Sequence, residues 1–321
     1  MLPFRRPRLT ARSRFLPEIT PAMNAPANQP ASASEGWTVQ RILEWTASFL
    51  KQKGVESPRL EAELLLAHAR KCPRIRLYTD FNELLTDNER TVMRELVQRR
   101  AKREPLAYIV GTREFYGRSF DVAAGVLIPR PETETLVDIC LERIPKESPR
   151  EILEVGFGSG CISITIAKQR PLCSVIATDI SSAAMEIASR NVEKHGLAGK
   201  VTLLAGDTLQ PLKDHGRQFD GLVSNPPYIR DDESAGLEPE VAVHEPREAL
   251  FAGADGLDVV RKIVAQAAAI LKPGAFVALE LDPAQCGMVV SMLQAAGFET
   301  VSVRRDLSGN DRVVEATLGP A

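Results

Sequence analysis

The residues richest in potential chemistry are Asn225-Pro226-Pro227-Tyr228. They follow a short run, 219–223, that reads as a buried strand, so they stand where a strand of an α/β sheet ends. Open α/β sheets bind their ligands at that edge. Consecutive prolines fix φ and donate no backbone N–H, and the residue before each is kept out of the helical region. The product is a stiff corner with free carbonyls and an asparagine side chain of set direction. Such a corner suits the grip of a planar –NH2 group. The plainer reading is a loop stiffener after a strand.

A second group is Glu154-Val155-Gly156-Phe157-Gly158-Ser159-Gly160, between a strand and a helix. Glycines there allow a tight turn and close approach of the backbone to a ligand. The spacing is G-x-G-x-G without the Lys-Ser/Thr of a phosphate-cradling loop, which points to a nucleotide-like cofactor. Asp179 closes the next strand, where a carboxylate can accept hydrogen bonds from both hydroxyls of a ribose. Its alternative role is a helix N-cap, since Ser181 and Ser182 follow. Asp207, in Ala205-Gly206-Asp207-Thr208 at the end of the third strand, is placed to accept from an adenine amino group. A nicotinamide cofactor and S-adenosylmethionine both satisfy these residues. The 225–228 corner decides between them, because hydride transfer has no use for an amide grip and methyl transfer to a planar nitrogen does. Aimed carbonyl oxygens would orient the nitrogen and favour the positive charge it gains, and Tyr228 would stack on the planar group. The histidines, His68, His195, His215 and His244, are dispersed and read as structural or surface residues, and no Ser-His-Asp set or metal-ligand spacing occurs.

These residues need a scaffold, and from about 150 onward strand and helix patterns alternate as a parallel α/β sheet requires. Strands are expected over 152–155, 174–178, 201–204, 219–224, 275–281, 299–304 and 312–317, with helices such as 162–169, 183–195 and 259–271. The last two strands are joined by 306–311 only, too short for a parallel crossover, so that pair is expected to be antiparallel. Ahead of the sheet, 37–103 reads as four or five short helices, with stripes at Ile42, Trp45 and Phe49, at Leu60, Leu64 and Ala67, and at Val92, Leu96 and Arg99. Ser57-Pro58 reads as a helix start. Between the two, 108–111 and 114–122 read as short strands about a glycine turn, and Leu136, Ile139, Cys140 and Ile144 as the face of a helix. The organisation expected is a leader over 1–35, a helical docking domain over 36–103, a β-hairpin linker over 104–135 and a catalytic domain over 136–321.

With 321 residues, 44% hydrophobic and 26% charged, the chain is long enough for about two cored domains. The net charge of −2 gives no electrostatic case for wrapping a nucleic-acid backbone. The cysteines are scattered and odd in number, five in all, which fits a reduced cytoplasmic setting rather than a disulfide framework. No apolar run is long enough for a membrane span. The first 35 residues are arginine-rich, then Pro/Ala/Ser/Asn-rich, and cannot build a core; a disordered leader, a start extended upstream of Met23 or a transit peptide would each have this composition.

Taken together, these segments resemble the HemK/PrmC family, the peptide-chain release factor N5-glutamine methyltransferases. The resemblance runs from about 37 to 316. It rests on Ser57-Pro58-Arg59-Leu60-Glu61, Glu104-Pro105-Leu106-Ala107-Tyr108-Ile109, Phe115-Tyr116-Gly117, Ile128-Pro129-Arg130-Pro131-Glu132-Thr133-Glu134, the glycine loop, Asn225-Pro226-Pro227-Tyr228 and Glu245-Pro246-Arg247. The tetrapeptide is shared with adenine and guanine amino-methyltransferases; the 128–134 segment is the more selective, and a sister family acting on a ribosomal-protein glutamine usually departs there. The resemblance implies a Rossmann-like, seven-stranded class I methyltransferase sheet with the last strand antiparallel. It implies S-adenosylmethionine, and no metal, bound by Gly156, Phe157, Gly158, Ser159, Gly160, Asp179, Ile180, Asp207, Thr208 and Asn225. Catalysis and substrate binding fall to Asn225, Pro226, Pro227 and Tyr228. The partner implied is a class-1 release factor, methylated on the glutamine of its Gly-Gly-Gln motif by a cytoplasmic, monomeric enzyme that binds neither membrane nor nucleic acid. Three departures stand out: Glu154 where the family usually has Asp, Phe157 where Thr is common, and Leu281-Asp282-Pro283-Ala284-Gln285 in place of a glycine-containing segment.

Overall fold

The computed structural model describes residues 36–213 and 216–320. The leader expected over 1–35, and His215, lie outside the described residues. The chain opens with helices α1 (Val39–Gln52), α2 (Pro58–Arg70), α3 (Arg76–Thr79), α4 (Asp87–Ala101) and α5 (Leu106–Val110). Thr38 caps α1, and Thr86 with Glu89 forms a capping box on α4. Ser57 is the N-cap of α2 with Pro58 behind it, but its side chain makes no capping bond. The helices share a core of Val39, Ile42, Leu43, Leu50, Leu65, Leu66, Met93 and Leu96.

Three details differ from expectation. The inward face of α2 is Ala62, Leu65, Leu66 and Ala69 with the expected Ala67, whereas Leu60 is 43% exposed. Helix α4 keeps Leu96 inward but adds Met93, Val97 and Arg100, whereas Arg99 points outward. Residues 108–111, expected to be extended, instead fall in and close α5, a single turn over 106–110 started by Pro105 and closed by Gly111 in the left-handed region. The β-branched preference of Ile109 and Val110 yields to burial of Ala107, Tyr108 and Ile109. Strands β1 (Thr112–Phe115) and β2 (Arg118–Asp121) then form an antiparallel hairpin.

Helix α6 (Thr133–Arg143) leads into β3 (Arg150–Val155), α7 (Cys161–Gln169), β4 (Cys173–Asp179), α8 (Ser182–Lys194), β5 (Val201–Ala205) and β6 (Phe219–Ser224). After an irregular arm carrying the short helix α9 (Pro239–His244) come α10 (Asp258–Ile270), β7 (Leu271–Glu280), α11 (Cys286–Ala295), β8 (Phe298–Arg305) and β9 (Asp311–Leu318). The seven-stranded sheet runs in the order β5-β4-β3-β6-β7-β9-β8. Only β9 is reversed; it lies antiparallel between β7 and β8. Side chains alternate across β3, with Leu153 and Val155 packing toward α10 and α11 and Ile152 toward α6 and α7.

From β3 the chain builds outward to β5, then returns to β6 on the other side. Val155 and Ser224 are register partners, and Ser224 Oγ donates to the Val155 carbonyl. The glycine loop after β3 and the proline corner after β6 therefore emerge side by side at the sheet's reversal point, where open α/β sheets form their crevice.

Candidate active site

The crevice is a cleft of about 970 Å³, partly open to solvent, walled by the loops after β3, β4, β5 and β6 and by the segment before α6. The glycine loop is held tightly. Gly156 N and Phe157 N donate to the Thr178 carbonyl, and Gly158 N donates to Asp179 Oδ2 at 2.9 Å. Gly156 and Gly158 have φ of +77° and +52°, and an added Cβ on Gly156 would sit 3.9 Å from the Asn225 carbonyl oxygen. Gly160 stands behind the wall rather than on it; its positive φ and close packing on Ala188 turn the loop into α7.

Asp179 takes one backbone N–H on each oxygen, Gly158 N on Oδ2 and Ser181 N on Oδ1. Ser181, not Asp179, is the N-cap of α8. Burial raises the Asp179 carboxyl above its usual range, against those backbone bonds. Asp179 lines the cleft, and a carboxylate's acceptor sites exceed these bonds, leaving capacity of the kind a diol needs. Ile180, 68% exposed, projects its apolar side chain at the rim. Asp207 lies two residues beyond the end of β5, lines the cleft with Thr208 and pairs with Lys262 at 2.8 Å. The donors and acceptors present, a carboxylate beside glycine amides and an apolar wall, fit a nucleoside cofactor.

Two of the unusual residues are accommodated without blocking the cleft. The extra methylene of Glu154 carries its carboxyl to the first turn of α7, where Ser163 donates through both its N–H and its hydroxyl. Burial pushes this acid up to about 8, against those two bonds. Phe157 is buried among Val126, Ala177, Ala184 and Ile187. The third departure supplies Gln285, whose Nε2 donates to the Tyr228 carbonyl at 2.8 Å and to the Asp255 carbonyl at 3.0 Å. It props the proline corner from behind.

The corner divides its residues between two spaces. Asn225 and Pro227 line the cleft, whereas Pro226 and Tyr228 line a second cavity of about 430 Å³ with Ile229, Val241 and Leu250. Asn225, Arg130, Leu127 and Ala249 belong to both walls, so the spaces meet at Asn225. Its Nδ2 donates to Thr133 Oγ1 at 3.1 Å. Arg130 is pinned by an ion pair to Glu245, a buried acid that also accepts from Ile128 N. Burial raises the Tyr228 phenol above its usual range. The roles of Thr133, Gln285 and Glu245 are not readable from spacing; Glu245-Pro246-Arg247 and 128–134 draw attention as motifs, but only the sheet topology brings them to Asn225. His68 and His244 line neither space, and His195 packs on Phe120 and contacts the Ser119 carbonyl. Among the described residues, no group of three or more His, Cys, Asp or Glu could hold a metal ion.

The sheet order and the cleft define the class I methyltransferase fold. A methyltransferase from Pyrococcus furiosus superposes with a TM-score of 0.50 at 20% identity, over 70% of this chain and 99% of that one. The catalytic domain of human Mettl16, solved with an RNA hairpin, superposes with a TM-score of 0.52 at 18% identity, over 70% and 82%. Residues 41–111 match the family model of the PrmC N-terminal domain, and 133–253 that of the methyltransferase small domain. Release factor glutamine methyltransferases are similar along nearly the whole length: 44% identical in Geobacter sulfurreducens, over 89% of this chain and 98% of the relative, and 42% identical in Rhodopirellula baltica, over 87% and 95%. The chain belongs to the release factor glutamine methyltransferase family and is an S-adenosylmethionine-dependent enzyme. No described helix is long and apolar enough to cross a membrane.

Proposed function

We propose that this enzyme methylates N5 of the glutamine in the Gly-Gly-Gln motif of class-1 peptide chain release factors, acting as a monomer in the cytoplasm. One observation carries the reading: Asn225 is shared by the cofactor cleft and the second cavity, so a side chain entering the latter meets the former at an amide-gripping corner. S-adenosylmethionine, when bound, supplies a methyl group on a positively charged sulfur. Gly156, Phe157, Gly158, Ser159, Asp179, Ile180, Asp207 and Thr208 would hold it, and Gly160 would shape the loop.

The protein's own part is chiefly positioning. With Nδ2 committed to Thr133, Asn225 presents Oδ1 as an acceptor for one amide hydrogen of the glutamine. The Pro226 carbonyl would accept the other, and Tyr228 would pack against the amide plane. Both acceptors favour the nitrogen as it becomes positive. The methylated nitrogen is strongly acidic and releases its proton to solvent without a dedicated base. Helices over 36–103 would dock the release factor, with 104–135 as the link to the catalytic domain.

The test is transfer of labelled methyl from S-adenosylmethionine to purified release factor, to its Gln→Ala variant in the Gly-Gly-Gln motif, and to RNA and DNA. Label on the wild-type factor alone is expected. Label on nucleic acid with none on the factor would overturn the reading. In the same assay Asn225→Ala should lower kcat by roughly a hundredfold while leaving cofactor affinity within a few-fold; equal loss of both would make Asn225 a cofactor or structural residue.

A further inference from the structure

The Asn225 side chain can serve as an acceptor only if its amide is turned the right way, because the reverse orientation would aim N–H at N–H. Its immediate partner, Thr133 Oγ1, does not enforce this alone, since a hydroxyl can donate as well as accept. The residue behind Thr133 does. Glu280 ends β7, next to Asn225 at the end of β6, because Ser224 and Leu279 are register partners. Glu280 is 1% exposed and Thr133 is 2% exposed. The Thr133 hydroxyl lies against the Glu280 carboxyl closely enough to lower its pKa, and the carboxyl's Oε2 is buried with no hydrogen-bond partner.

We propose that Thr133 and Glu280 are positioning residues that fix which end of the Asn225 amide faces the acceptor nitrogen. An ionised Glu280 can only accept, so it commits the Thr133 O–H as a donor. The Thr133 oxygen is then left to accept, and only Nδ2 of Asn225 can supply that bond. A protonated Glu280 can instead donate to Thr133, freeing the hydroxyl to bond Asn225 Oδ1 and reverse the amide. This relay rests on the proposed function for its catalytic consequence but not for its existence.

Charge around Glu280 leaves it poised to switch. Burial pushes it up to about 7, opposed by the Thr133 hydrogen bond and by Arg312 of β9, with Glu132 raising it and Arg130 lowering it. Tyr228 and Cys161 also face it, and both are held neutral at neutral pH by burial, Cys161 up to about 12. The correct amide orientation is therefore present above the Glu280 pKa and lost below it.

Two measurements test the relay. In kinetics, Thr133→Val should lower kcat roughly tenfold to a hundredfold with cofactor affinity by calorimetry little changed, and Thr133→Ser should restore it. The acid limb of the wild-type kcat profile, with a midpoint about 7, should vanish in Glu280→Gln. In 15N NMR of the protein alone, the Asn225 side-chain amide resonances, assigned by their loss in Asn225→Ala, should titrate with that midpoint in the wild type and not in Glu280→Gln. Wild-type turnover in Thr133→Val, failure of Thr133→Ser to restore it, or Asn225 resonances indifferent to pH would each overturn the relay. If a variant does not fold, the wild-type titration decides. An enzyme that titrates as described but leaves release factor unlabelled would overturn the functional reading and not the relay.

Discussion

At the scale of single residues, the acid that begins the glycine loop has a measurable consequence away from catalysis. Glu154 is fully buried, one of its oxygens has no hydrogen-bond partner, and burial sets its pKa about 8 against 4.5 in the unfolded chain. A carboxyl raised on folding binds a proton in the native state that the unfolded state has already lost. Its contribution is fully present below the unfolded pKa and declines as pH rises through the folded one. Glu280, raised to about 7, acts with the same sign. Glutamine at 154 keeps an oxygen for the two Ser163 bonds and mimics the protonated acid. Glu154→Gln should therefore flatten the fall in thermal midpoint between about pH 5 and about pH 8. Identical pH slopes in the two proteins would show that Glu154 does not carry a proton in the fold.

Elements decide how rigid the corner is. The 225–228 corner is backed by the loop before α10 and the turn before α11, and Gly256 is where they touch. A Cβ there would lie 2.1 Å from the Tyr228 carbonyl oxygen and 2.4 Å from Gln285 Nε2, at a φ of +73°. Gly256→Ala should break the Gln285 bond to Tyr228, destabilise the fold by more than about 1 kcal/mol in chemical denaturation and lower kcat. Unchanged stability would show that the loop yields freely. Much of this scale was legible beforehand. The strands and the reversed β9 follow from buried apolar runs and a connection too short to cross over. The glycine loop and 225–228 were readable because each is contiguous. Misreadings arose where packing overrules local preference. Tyr108-Ile109-Val110 favours a strand but has room for only one buried turn between Pro105 and Gly111, and α2 packs through Leu65, Leu66 and its alanines rather than through the stripe of Leu60 and Leu64. Thr133, Glu280 and Gln285 could not be foreseen as partners of the corner, since separate elements bring them there.

Across the whole molecule, the helical front reaches the site through one arm. Arg100, at the end of α4, has a side chain 6% exposed; it pairs with Glu61 of α2 and, at 2.9 Å, with Glu240 of α9. Arg103 joins Glu240 at 2.6 Å and donates to the Gly54 carbonyl. The Tyr108 hydroxyl of α5 donates to the Val126 carbonyl beside the cleft. Helix α9 lies in the stretch between the proline corner and α10, and its Val241 lines the second cavity. Under the docking role proposed for it, the helical front would thus also set the wall of the cavity proposed to receive the acceptor's side chain. The cofactor loops are built on β3, β4 and β5 and do not depend on this clamp. Removing the Glu240 carboxylate leaves Arg100 paired with Glu61 alone, which should destabilise by about 1–3 kcal/mol. Glu240→Ala should raise KM for the protein acceptor several-fold, with cofactor affinity unchanged. Steady-state kinetics with release factor and calorimetry with S-adenosylmethionine separate the two. An unaltered KM beside a clear loss of stability would mean that the clamp holds the two parts together without shaping the acceptor cavity.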